Sequence, residues 1–176
     1  MTALVIDASV LSPFARAGRL VDLERLTAGV NRFVTGAVMA EIESGVDLFS
    51  GLAAVSSLPW LEKVRSDSMA ELVAFAACTR RLGCAQGRNV GEASVLAHAE
   101  VHGYTALIDD EVAVQLGRER GVAVLRSLGL IARRVRAGAL TVEEAENLVG
   151  ALVGGGARYP CTAGGFIDWC RQADLL

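Results

Sequence analysis

Five carboxylates stand where metal chemistry would need them. Asp7 directly follows the apolar run Leu4–Ile6, and Asp109 and Asp110 directly follow a second apolar run, Tyr104–Ile108. If both runs are strands of one parallel sheet, all three acids arrive at its carboxyl edge, where open α/β sheets bind ligands. Glu41 and Glu92 lie in predicted helices within reach of that edge. Four or five carboxylates gathered there cannot stay ionised together without a cation. Hard oxygen ligands select Mg²⁺ or Mn²⁺. Such ions lower the pKa of a bound water, orient it at phosphorus and stabilise the leaving oxygen, so no protein nucleophile is needed. Taken singly, each acid has an ordinary reading. Asp7 serves as a turn residue, Glu41 as a solvated helix acid, Glu92 as the acid of a capping box, and Asp109-Asp110 as a helix cap.

The elements that must position these acids read as strands alternating with helices. Ser9 offers a cap for a first helix, and a second covers Leu20 to Leu26. A short strand near Arg32 to Val34 leads to a helix capped by Thr35, running to Gly45 and carrying Glu41. Residues 53–64 read as an extended connector. The spacing over Ser66 to Leu82 predicts an amphipathic helix ended by Gly83. A loop over 84–89 follows, and Asn89 is the expected cap of the helix carrying Glu92, which Gly103 closes. After the strand Tyr104–Ile108 come a helix over Glu111–Arg120, a strand over Val122–Val124, and helices near Leu128–Ala137 and Val142–Leu152. Gly154-Gly155-Gly156 precedes a tail helix near Phe166–Gln172. Such alternation predicts an α/β fold with a mainly parallel sheet flanked by helices. The expectation is one domain over 1–176, with 139–176 a C-terminal helical extension.

Composition narrows the classes. At 176 residues the chain fits one domain and needs no disulfide staple. Its cysteines, at 78, 84, 161 and 170, form no CxxC pair and read as free thiols of a reducing cytoplasm. Hydrophobic residues make up 52% of the chain, yet charges interrupt every apolar run before the ~20 residues a membrane span needs. The start, MTALVID, lacks the basic region of a signal peptide. The net charge of -3 excludes a protein that coats nucleic acid through bulk charge, though not a nuclease. Lys63 is the only lysine, so almost all positive charge is arginine, the better bidentate phosphate binder.

Four segments carry a resemblance: VIDASVL at 5–11, TGAVMAEIESG around Glu41, GEASVLAHA at 91–99, and ALIDDEVAVQLGRERGVAV at 106–124. In order and spacing, over about residues 4–138, they resemble the motifs of the PIN-domain nucleases. The closest branch is the prokaryotic one in which GEA precedes an Asp-Asp pair, a relative of the VapC-type toxins. The resemblance implies that Asp7, Glu41, Glu92 and Asp109 are the catalytic, metal-binding acids. Asp110 is a fifth possible ligand and Ser9 an auxiliary polar neighbour. It further implies metal-dependent cleavage of RNA phosphodiesters, with an antitoxin protein or a homodimer as possible partners. Two departures stand out: many toxins have Asp where this chain has Glu92, and 139–176 exceeds the minimal domain. Because successive residues at a strand end point to opposite sides, only one of Asp109 and Asp110 easily faces the cleft with Asp7. The expectation is Asp109 as ligand and Asp110 as helix cap.

Two other groups attract attention. His98 and His102, four apart on one helix, can present two imidazoles to a metal, but HAEVH lacks the zincin order and a solvated helix face is the expectation. Arg118, Arg120, Arg126, Arg133, Arg134 and Arg136 form a basic stretch. From it Arg133 and Arg134, with Arg88 near the GEA segment, are the candidate RNA contacts, against a role at a helix end. Trp60, Phe166, Ile167 and Trp169 are expected in the core ahead of an interface. Two rivals to the nuclease are a catalytically weak PIN-like module that binds a partner or nucleic acid, and a phosphotransferase using Asp7. The latter is disfavoured because Asp7-Ala8-Ser9 lacks a second aspartate.

Overall fold

A computed structural model describes residues 3–84 and 87–176. Met1 and Thr2, at the start of the chain ahead of the first strand, and residues 85 and 86 of the predicted loop lie outside the described residues. The chain runs β1 (Ala3–Ile6), α1 (Ala8–Arg16), α2 (Leu20–Leu26), β2 (Asn31–Thr35) and α3 (Gly36–Ser44). A 3₁₀ helix (Ser50–Ser57), β3 (Glu62–Val64), α4 (Met69–Leu82), α5 (Val90–His102), β4 (Thr105–Leu107) and α6 (Glu111–Glu119) follow. Last come β5 (Ala123–Leu125), α7 (Ser127–Arg136), α8 (Val142–Gly154) and α9 (Phe166–Gln172).

The five strands form one all-parallel sheet in the order β3-β2-β1-β4-β5. Parallel strands need crossovers, and the intervening helices supply them while covering the sheet. This is why β1 is apolar throughout and buried at every residue. The chain leaves β1 toward β2 on one side and returns to β4 on the other, so the carboxyl ends of β1 and β4 flank the topological switch point. In register Ile6 lies beside Leu107, and Leu107 beside Leu125. The Asp7 amide donates to the Leu107 carbonyl at 3.0 Å, so Asp7 and the Asp109-Asp110 pair leave the sheet at one edge.

The core joins the sheet to residues from every layer, including Leu148, Val149 and Leu152 of α8 and Phe166, Ile167 and Cys170 of α9. Trp60 and Trp169 are half-buried against it, and the Arg32 guanidinium lies 5.0 Å over the Trp60 ring. No described helix is long and apolar enough to cross a membrane.

Three local expectations need correction. Of the expected connector over 53–64, Glu62–Val64 is extended as β3, but residues 53–57 belong to the 3₁₀ helix Ser50–Ser57. Leu52 and Val55, three apart, share one buried face at three residues per turn. Ser9 does not cap α1: Asp7 does, accepting the Ser9 amide at 2.8 Å, because Asp7 still holds the extended backbone of a cap. Asn89 makes no side-chain cap on α5; it sits at φ +58° and its Nδ2 donates to the Leu82 carbonyl at 2.8 Å, tying the entry of α5 to the end of α4.

Candidate metal centre

Asp7 is the floor of the site. It is 1% exposed. One carboxylate oxygen, Oδ2, accepts the Ser9 amide, while Oδ1 is buried with no hydrogen-bond partner among the described residues. α5 runs into β4, so its first turn lies toward the carboxyl edge of the sheet and brings Glu92 there; Glu92 Oε2 is likewise buried and unpartnered. Leaving a buried carboxylate oxygen bare costs several times an ordinary hydrogen bond. Two such oxygens on neighbouring acids are a donor set of the kind that a divalent cation satisfies.

Glu41 reaches in from α3, which Thr35 caps through the Val38 amide at 3.3 Å. The Thr35 hydroxyl also meets Ser94 Oγ at 2.7 Å, pinning the start of α3 to α5. Gly91 reports how closely these acids converge. A Cβ built there would lie 2.7 Å from Glu41 Oε2 and 3.7 Å from Asp7 Oδ1. Glycine leaves room for Glu41 Oε2 where it stands, while Asp7 Oδ1 lies at ordinary contact distance.

The electrostatics show the same convergence. Burial, then the charge of Glu92, with a smaller push from Glu41, raise the Asp7 pKa from 3.8 to about 7, against hydrogen bonds from Ser9. Burial and Glu92 raise Glu41. Burial raises Glu92, and the charge of Asp110 adds to it. Asp7, Glu41, Glu92 and Asp110 thus form one web of mutually repelling acids, the situation a divalent ion relieves. Four oxygen donors of this kind fit Mg²⁺ or Mn²⁺.

The late-strand pair divides between two helices. Asp110 does cap α6, accepting the Ala113 amide on Oδ1 at 2.9 Å, yet it is also the acid whose charge Glu92 senses. The Asp109 carboxylate is turned to α7. Its Oδ1 accepts the Ser127 amide at 2.8 Å, and Oδ2 lies 3.5 Å from the Tyr159 hydroxyl. Burial raises the Asp109 pKa, and Ser127, Arg126 and Tyr159 pull it back. Ser9 ties the two strand ends together, its hydroxyl accepting the Asp109 amide at 3.0 Å.

Asp109 also lines a cleft of about 430 Å³ with Arg118, Arg126, Arg133, Tyr159 and Trp169. Of the candidate RNA contacts, Arg133 and Arg88 are exposed. Arg134 instead donates to the Leu26 and Ala28 carbonyls at 2.7 and 3.1 Å, where a cation complements the end of α2. Arg126 is held by Glu111 and by the Asp109 carbonyl.

His98 does not lie on a solvated face. It is 4% exposed, and its Nδ1 is 2.6 Å from Glu71 Oε1; only His102 is exposed. Burial lowers the His98 pKa, with Glu71 opposing. Glu71, missed in the sequence as a site residue, was legible as the acid of a Ser68-x-x-Glu71 capping box on α4. Tyr159 left no comparable signal, since it reaches Asp109 from 50 residues away in an irregular segment.

A family model described as PIN domain matches residues 3–163, and the chain therefore belongs to the PIN-domain family. The match runs past residue 138 and through α8. PIN domains are generally nucleases and typically use divalent metals, so a nucleic-acid substrate is implied. No curated protein matches the chain.

Proposed function

We propose that this chain is a divalent-metal-dependent ribonuclease. Asp7, Glu41, Glu92 and Asp110 would be its metal-binding acids, and Asp109 a residue that positions the edge of the site. The observation that carries the reading is the pair of buried, unpartnered oxygens, Asp7 Oδ1 and Glu92 Oε2, in a web of four acids at the switch point of the sheet. Mg²⁺ or Mn²⁺ bound there would supply an activated water and a charge to offset the leaving oxygen.

The chain's own residues do the rest. Asp7, held by the Ser9 amide, presents Oδ1 as a fixed ligand. Gly91 lets Glu41 close on it. Asp109, bonded to Ser127 and to Ser9 through its backbone, holds the ends of β1, β4 and α7 in register. Arg133 and Arg88 would contact RNA phosphates, and Trp169 and Tyr159 border the arginine-lined cleft where an unpaired base could stack. The reading extends to a cytoplasmic protein acting as the toxin of a toxin-antitoxin pair, with an antitoxin or a second copy as partner. Residues 139–176 would then be an extension of one domain.

The test is cleavage of a single-stranded RNA by the purified chain. Activity should require Mg²⁺ or Mn²⁺ and vanish with a chelator. Asp7→Asn and Asp110→Asn should each lower the rate at least ~10²-fold, the scale of losing a group that stabilises charge at the reacting centre. Asp109→Asn, which keeps an oxygen for the Ser127 amide, should retain most activity. Chelator-resistant cleavage would overturn the proposal, as would an inactive Asp109→Asn beside an active Asp110→Asn.

A further inference from the structure

We propose that Glu71, His98 and His102 form a second metal site, for Zn²⁺ or another borderline divalent ion, separate from the carboxylate cluster. It goes beyond the nuclease reading and does not depend on it. His98 Nδ1 and His102 Nε2 converge on one oxygen, Glu71 Oε1, at 2.6 and 3.2 Å, and the three ligand atoms lie within 4.8 Å of one another. Neighbouring ligands on a tetrahedral Zn²⁺ stand about 3.3 Å apart, given bonds of about 2.0–2.1 Å. The His102–Glu71 pair is already at that spacing, and the His98–Glu71 pair must open by about 0.7 Å.

The carboxylate is oriented in advance. Glu71 Oε2 is engaged by the Ser68 amide and hydroxyl at 3.1 and 2.6 Å in the capping box of α4, leaving Oε1 to the two imidazoles. An outer partner of this kind is what fixes the ligands of built metal sites. Against the burial that raises it, hydrogen bonds from Ser68 and both histidines hold the Glu71 carboxyl below the usual carboxylate range.

The rings are fixed too. His102 stacks on Tyr104 at 5.4 Å between centroids, Tyr104 on Phe33 at 5.3 Å, and His98 lies 4.3 Å from His102. Coordination takes each ring as the tautomer with its proton on the other nitrogen, so a neutral imidazole releases no net proton. Of the three, Glu71 lines a cavity of about 520 Å³ with Ser66 and Phe75, through which solvent reaches the carboxylate. Two imidazoles and one carboxylate suit Zn²⁺, Co²⁺ or Ni²⁺, unlike the all-oxygen cluster, which suits Mg²⁺. His98 and His102 lie about 9 and 15 Å along α5 from Glu92 at 1.5 Å per residue, so one ion cannot serve both sites.

The experiment is a Co²⁺ titration of the full chain in a large excess of Mg²⁺, followed by visible absorption and then by Zn²⁺ displacement. The expected result is a visible ligand-field band that saturates at one Co²⁺ and is abolished by one Zn²⁺. Loss of an outer partner costs roughly 10–100-fold in affinity, so loss of a ligand in His102→Ala should cost at least about 100-fold. His102 is exposed, so that variant should fold; Glu71→Gln should weaken the band in parallel, and Asp7→Asn should leave it intact. A folded wild type without the band would overturn the proposal, as would equal affinity in His102→Ala. Two further results would do the same: a thiolate charge-transfer band in the near ultraviolet, or a band lost in Asp7→Asn and kept in His102→Ala.

Discussion

Asp7 concentrates the chemistry of the site in one buried carboxyl, and its titration gives the sharpest test at the residue scale. Its pKa in the folded chain, about 7, exceeds its ordinary 3.8, so the folded state holds the proton more tightly. The stability this confers is complete below about pH 4 and is lost as pH rises through about 7. Glu41 and Glu92, both raised, act in the same direction. Glu71, lowered to about 2, acts in the opposite direction only below its ordinary 4.5, while His98, lowered by burial, opposes them below its ordinary 6.5 and offsets part of the Asp7 effect. In chelator, the melting temperature should therefore fall between pH 4 and 7, by an amount worth on the order of 4 kcal/mol from Asp7. Asp7→Asn should flatten that slope, and thermal melts across the range check it; an equally steep slope in the variant would contradict the assignment. Asp7 and Asp110 were readable from their places after apolar runs, and Glu41 and Glu92 from helices expected within reach of the same edge. Which of Asp109 and Asp110 turns its carboxylate to α7 was not readable. Alternation at a strand end says that the two diverge, but the Ser127 amide that captures Asp109 belongs to α7.

At the scale of elements, α5 carries the site at its first turn through Gly91 and Glu92. Gly91→Ala would set a methyl against the far end of the Glu41 side chain, which can swing aside, so the fold should survive while Glu41 is displaced. Mn²⁺ affinity should drop several-fold with little change in far-ultraviolet dichroism, and unchanged affinity would deny Glu41 a place among the ligands. α7 separates two kinds of arginine. Arg133→Ala should weaken RNA binding across sequences and reduce the salt slope by about 1. Arg134→Ala should instead lower the melting temperature, since it uncaps the Leu26 and Ala28 carbonyls at the end of α2, and should leave the salt slope alone. Filter binding over a salt series, with melts alongside, distinguishes them. The elements themselves were largely legible: Thr35, Gly83 and Gly103 bound helices as their types predict. The 3₁₀ helix over Ser50–Ser57 was not, because a pair of apolar residues three apart is too short a pattern to separate from an extended run.

For the whole molecule, the sheet order places β1 at the centre with β4 beside it and so sets the candidate site at the switch point, a consequence of strand–helix alternation already visible in the chain. Long-range partners were invisible there: Tyr159 on Asp109 and Ser66 on His98 join segments with no shared periodicity. An ion bound to the folded state alone stabilises it by mass action, about 2.7 kcal/mol at a hundredfold excess over its Kd. Calorimetric titration of Mn²⁺ into the chelator-stripped chain therefore tests the central claim most directly. Saturable binding that raises the melting temperature, and that is lost in folded Asp7→Asn, is the predicted result. Absence of binding at millimolar Mn²⁺, or equal binding by Asp7→Asn, would contradict it.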